Sequence, residues 1–77
     1  MKITETILAL SAERGKDKTI CPSEVARKIW PEGWREHMDE TRNAAFALRD
    51  EGKVVISQKG IEILGSEVIG PIRIRIV

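Results

Sequence analysis

Seventy-seven residues, 42% hydrophobic and 32% charged, describe one small globular domain, and thirteen basic against twelve acidic side chains leave a net charge of only +1. No apolar stretch approaches the roughly 20 residues that a bilayer crossing requires. A single cysteine, Cys21, excludes an internal disulfide, and with His37 as the one histidine the chain falls short of the roughly four ligands of a structural zinc site.

In chain order, residues 3–14 are predicted to be a helix, with Ile3, Ile7 and Leu10 at i, i+4 and i+7 on one stripe and Leu8 widening it. Gly15 suits its C-terminal cap. A polar loop, "GKDKT", leads to a very short strand at 18–20. "CPSEVARKIW" at 21–30 reads as the second helix. Cys21 occupies the N-cap, Pro22 the first helical position, and Glu24 can reach back to the cap N–H. Val25, Ala26 and Ile29 form its buried side, and Pro31 and Gly33 end it. "GWREHM" suits a single helical turn. A third helix is expected over 40–51 with Asp39 as N-cap, its inner side formed by Met38, Thr41, Ala44, Ala45 and Leu48, and Gly52 closing it.

At Gly52 the period changes. "KVVIS" is rich in β-branched residues, and "PIRIRIV" alternates strictly, with Ile72, Ile74 and Ile76 inward and Arg73 and Arg75 outward. The preferred pairing is antiparallel between 54–57 and 72–76, with 59–71 as the connection. The alternative is a tight hairpin at Lys59-Gly60 that pairs "VVIS" with "IEIL". Helix, short strand, helix, helix and two strands make an α+β chain on the winged helix-turn-helix plan: three helices plus a small antiparallel hairpin, the wing, in a single domain over 1–77.

The same segments, "TICPSEVARKIW", "WREHM", "RNAAFALRDEGKVVISQKG" and "GPIRIR", resemble a family of small bacterial proteins known as a domain of unknown function. The resemblance spans residues 3 to 75, and "CPSEVAR" with "GPIRIR" is its most specific part. It implies a winged-helix-like fold and a bacterial, cytosolic protein, and it implies no activity. "GIEILGSEV" in the connection is more apolar than the family pattern.

The winged-helix plan directs attention to three groups of residues. The outward side of the third helix is expected to carry Asn43, Phe46 and Asp50, flanked by Arg42, Arg49 and Ala47. Arginine and asparagine make forked contacts to guanine and adenine in the major groove, and Phe46 or Ala47 could meet a thymine methyl. Lys18, Thr19 and Ser23 at the start of the second helix suit phosphate contacts. Gln58 and Lys59 lie at the wing tip, with Arg73 and Arg75 as further phosphate partners. Charge opposes this assignment. Residues 38–51 hold two basic and four acidic side chains, whereas DNA affinity comes largely from neutralising phosphates. The chain's isoelectric point near 7.9 is also below the roughly 9 of a dedicated binder. Arg49 can equally pair with Asp50 or Glu51.

Trp30 and Trp34, flanking "PEG", are expected to cap the core. Cys21 and His37 lack an orienting third group, and "GKDKT" lacks the spacing of a phosphate loop, so the chain is not expected to be an enzyme. The expected function is a DNA-binding, transcription-regulatory module acting on double-stranded DNA. The alternative is a protein-contact module, as a homodimer or with another protein. No cofactor, metal or membrane partner is expected, and a reducing cytoplasm suits the single thiol.

Overall fold

The computed structural model of the protein describes residues 2–65 and 68–77. Helix α1 runs over Ile3–Arg14, α2 over Pro22–Ile29 and α3 over Met38–Asp50, and the strands are β1 (Val54–Gln58), β2 (Ile61–Glu62) and β3 (Arg73–Ile76). A 3-10 turn, Trp34–His37, leads straight into α3. The order is the one the change of period predicts, and no helix among the described residues is long and apolar enough to cross a membrane.

The local chemistry at the helix ends explains most boundaries. Pro22 opens α2 without leaving an orphan N–H, and the Glu24 carboxylate reaches back to accept the Cys21 N–H at 2.7 Å. The end of α3 is a two-bond cap. The Gly52 N–H donates to the Arg49 carbonyl at 2.8 Å and the Lys53 N–H to the Leu48 carbonyl at 2.9 Å. That cap needs a left-handed residue, and Gly52 supplies it with φ 75°. The start of α3 differs from expectation. His37, not Asp39, is the N-cap, because the preceding 3-10 turn merges with the helix and carries its start back to Met38. Asp39 falls inside the first turn, where a carboxylate still complements the helix dipole.

The sheet accommodates both predicted pairings at once. β1 is its central strand, in the order β2-β1-β3. On one edge Val54 faces Ile76 and Ile56 faces Ile74. On the other, Ser57 faces Glu62 and Gln58 faces Ile61. The predicted strand at 18–20 contributes one bridge, Ile20 to Ile74, closed by two reciprocal 2.8 Å hydrogen bonds. Thus the described residues form three antiparallel strands and not only a two-stranded wing, and both edges of the central strand are satisfied.

The helices cover one face of this sheet. Ile7, Ile20, Val25, Ala45, Phe46, Leu48, Val54, Ile56, Ile72 and Ile74 form a continuous buried cluster. Thr41, fully buried in α3, donates its hydroxyl to the His37 carbonyl at 2.7 Å. Two expectations fail here. Phe46 is only 9% exposed and belongs to this cluster, so it is not on the outer side of α3. Trp30 and Trp34 are half-buried and stand outside the cluster, at the end of α2 and the start of the 3-10 turn.

Candidate interaction surface around the third helix

The connection after β2 decides what α3 presents. Residues 63–65 and 68–71 leave main-chain carbonyls with no sheet partner, and such groups need donors. Side chains of α3 and β1 supply them. Arg42 spreads its fork over two carbonyls, Nη1 to Gly70 at 2.8 Å and Nη2 to Val68 at 2.9 Å. One turn-pair further on, Arg49 Nη1 donates to the Gly65 carbonyl at 2.7 Å and, more weakly, to Ile63 at 3.4 Å. Its Nε and Nη2 meet the Asp50 carboxylate at 3.2 and 3.0 Å. From β1, Gln58 Nε2 donates to the carbonyls of Ile69 and Pro71 at 2.8 and 3.1 Å. Gly70 sits where these tethers converge. It has φ 97°, and a Cβ there would stand 3.3 Å from Gln58 Nε2. Residues 66–67 of the connection lie outside the described residues.

Arg42, Phe46 and Arg49 share one face of α3, at i, i+4 and i+7, and that face is under the connection. Phe46 is buried in the core cluster against which Ile63 and Val68 of the connection pack, and the Arg49 guanidinium carbon lies 4.9 Å from the Phe46 ring centre. What α3 shows to solvent is the next stripe: Asp39, Glu40, Asn43, Ala47 and Asp50, all exposed. The connection and β2 also expose three large apolar side chains, Ile61 at 69%, Leu64 at 78% and Ile69 at 96%. Patches of this kind on a small domain are associated with interaction sites.

The other sequence-predicted residues lie elsewhere and do not join this face. Lys18 is exposed in the loop before α2, and Ser23 is half-buried in its first turn. Thr19 accepts Arg73 Nε on its hydroxyl at 2.8 Å, and Arg73 Nη1 stands 2.6 Å from the Cys21 sulfur. The thiol and His37 therefore have separate partners. His37 stacks on Trp30, ring centres 3.7 Å apart and planes 5° from parallel, and its Nδ1 bonds the Glu40 carboxylate. Arg75 donates to the Lys16 carbonyl at 3.3 Å. Lys59 is exposed at the β1–β2 turn with φ 53°. No group of three or more metal-ligating side chains occurs among the described residues.

Residues 1–77 match the family described as a protein of unknown function, DUF3253. The chain belongs to that family. No curated protein matches it. In this DUF3253 domain the segments "CPSEVAR" and "GPIRIR" meet in space. Cys21 opens α2, Arg73 of β3 touches it, and Glu24 closes the cluster by accepting Arg14 Nη2 at 2.7 Å.

Glu24 gives this cluster a pH dependence. Partial burial pushes its carboxyl upward, but the Arg14 hydrogen bond, the Cys21 N–H and the charges of Arg14 and Arg73 outweigh that and hold it below its ordinary 4.5. A carboxylate held down in the folded state stabilises the fold above the unfolded-state value, and that contribution fades as pH falls through the folded-state value. Denaturant unfolding of the wild type and Glu24→Gln is therefore expected to show a gap near neutral pH that closes in acid. A gap independent of pH would mean that the charge of Glu24 contributes nothing.

The Arg42 tether gives a second expected result. Arg42→Ala removes the donors that the carbonyls of Val68 and Gly70 have among the described residues, at a cost of about 1–3 kcal/mol. Amide exchange at 63–65 and 68–70 should accelerate more than in the helices. Unchanged stability and exchange would show that solvent replaces the tether without loss.

Proposed function

We propose that this domain is a protein-interaction module on a winged-helix plan, not an enzyme and not a reader of DNA bases through α3. The observation that carries this proposal is the fate of the two α3 arginines. Both donate to main-chain carbonyls of the connection, so the solvent-facing stripe of α3 keeps three acids, an asparagine and an alanine. A duplex offers a dense row of phosphates, and such a face repels it. The same face, together with the exposed Ile61, Leu64 and Ile69, is complementary to a partner surface that is basic and apolar.

DNA binding, the function that the element order alone favours, then keeps, of the basic residues that plan assigns to it, Lys18, Lys59 and the arginines of β3, and Arg73 and Arg75 already have acceptors within the chain. Two measurements separate these functions. A photo-reactive residue placed at Ala47 or Leu64 in living cells is expected to give discrete protein adducts, lost when Ile69→Glu is added. Mixed duplex DNA at about 50 mM salt, where a phosphate-driven complex is strongest, is expected to give no saturable binding. Saturable duplex binding weakened by Lys18→Ala or Lys59→Ala would overturn the proposal.

A further inference from the structure

Five of the seven arginines are committed inside the chain. Arg14, Arg42, Arg49, Arg73 and Arg75 each donate to a carbonyl, a carboxylate or a hydroxyl. Arg27 and Arg35 do not. Both are exposed, and among the described residues neither has a hydrogen-bond acceptor or an ion-pair partner. Both instead lie against one indole. The guanidinium carbon of Arg27 is 4.3 Å from the Trp34 ring centre and that of Arg35 is 4.4 Å from it. We propose that Arg27, Trp34 and Arg35 form a docking site for an acidic segment of a partner protein.

The argument is one of preorganisation. A guanidinium attracted to a ring face keeps its N–H groups free at its rim, ready for forked bonds to carboxylates. Stacking also restricts two long side chains before the partner arrives, which removes part of the ordering cost of binding. The support beneath them is firm. Arg27 belongs to the last turn of α2 and Arg35 to the 3-10 turn, and the Trp30–His37 stack ties that turn to the end of α2. Trp34 itself is half-buried and carries both guanidinium groups against its ring. Tryptophan and arginine are the residues most enriched where alanine substitution costs a complex most.

The surroundings select the kind of anion. Glu36 is exposed in the same turn and Glu32 just before it, and Asp39 follows at the start of α3. A nucleic-acid backbone, with charge along its whole length, would meet those acids together with the arginines. A peptide can place single carboxylates against Arg27 and Arg35 and neutral residues elsewhere. The three docking residues lie outside the outer stripe of α3 and the 63–70 connection, so their binding is tested separately from the function proposed above.

The test is a titration of the intact protein, followed by tryptophan fluorescence and calorimetry. The probes are a terminally blocked peptide of glutamate and alanine, its glutamine counterpart and inorganic pyrophosphate. Saturable binding of the glutamate peptide is expected, with none for the glutamine peptide. Arg27→Gln combined with Arg35→Gln should weaken it about tenfold or more, equivalent to roughly 1.4 kcal/mol. The paired lysine substitutions, which keep the charge but lose the fork and the stacking, should fall between. An unshifted melting temperature in both double variants would show that the fold is intact. Glutamate-peptide binding that is absent, or equally tight in both double variants, would overturn the proposal. Binding of pyrophosphate without the glutamate peptide would overturn it too, in favour of a phosphate site.

Discussion

Leu48→Ala is expected to cost about 2–5 kcal/mol, the range for removing a buried leucine side chain and leaving a cavity. Leu48 is 2% exposed and sits between α3 and the sheet, in one cluster with Val54, Ile56 and Ile74. The surrounding β-branched residues have few rotamers with which to fill the space, which favours the upper half of the range. A domain of this size has roughly 4–12 kcal/mol in total, so this one change removes a large share. At about 4–8 °C per kcal/mol the melting midpoint should fall by tens of degrees or folding should be lost at room temperature. A shift of only a few degrees would mean that the site collapses around the alanine, and the packing of α3 on β1 would need revision.

Leu48 was legible from the sequence because its placement depends only on period. Thr41, Ala45 and Leu48 recur at helical spacing, and Ile72 and Ile74 at strand spacing, and each lands inside. Capping chemistry was legible for the same reason: Cys21, Pro22 and Glu24 act within four residues of one another. The candidate site was not, because it depends on contacts far apart in sequence. Arg42 meets Gly70 across 28 residues and Arg49 meets Gly65 across 16. The donor pattern that marks an arginine as a reader of guanine, two N–H groups facing two acceptors, is the same pattern that satisfies two stray carbonyls. Nothing local distinguishes the two uses. One weak signal was present. The unusually apolar "GIEILGSEV" segment needs some surface to pack on, and Ile63 and Val68 pack against the core edge while Ile61, Leu64 and Ile69 stay outside. The tethered connection also explains why both hairpin registers could be written from the sequence. β1 uses one for the wing turn and the other for the returning strand.

Phe46 carries the second large expectation. As an outward residue of α3 its replacement would weaken a complex and leave the fold nearly unchanged, since exposed positions are usually within about 0.5 kcal/mol of neutral. At 9% exposure, inside the core cluster and beneath Arg49, it should behave otherwise. Phe46→Ala is expected to cost about 3–5 kcal/mol, comparable to Leu48→Ala, and to do so through two layers. The ring belongs to the cluster against which Ile63 and Val68 of the connection pack, and it is also the platform over which the Arg49 guanidinium lies. Removing it should therefore loosen the connection as well as the core. Amide exchange at 63–65 should rise in Phe46→Ala beyond what its loss of global stability explains, whereas in Leu48→Ala the two should change together. Phe46→Leu separates the contributions, because it keeps most of the apolar volume and loses only the ring face. It should recover much of the stability and little of the local protection. If Phe46→Ala proves as stable as the wild type, the connection does not cover α3 in solution. Arg42 and Arg49 would then be open to solvent, and the case for a face that cannot receive DNA would lose its basis.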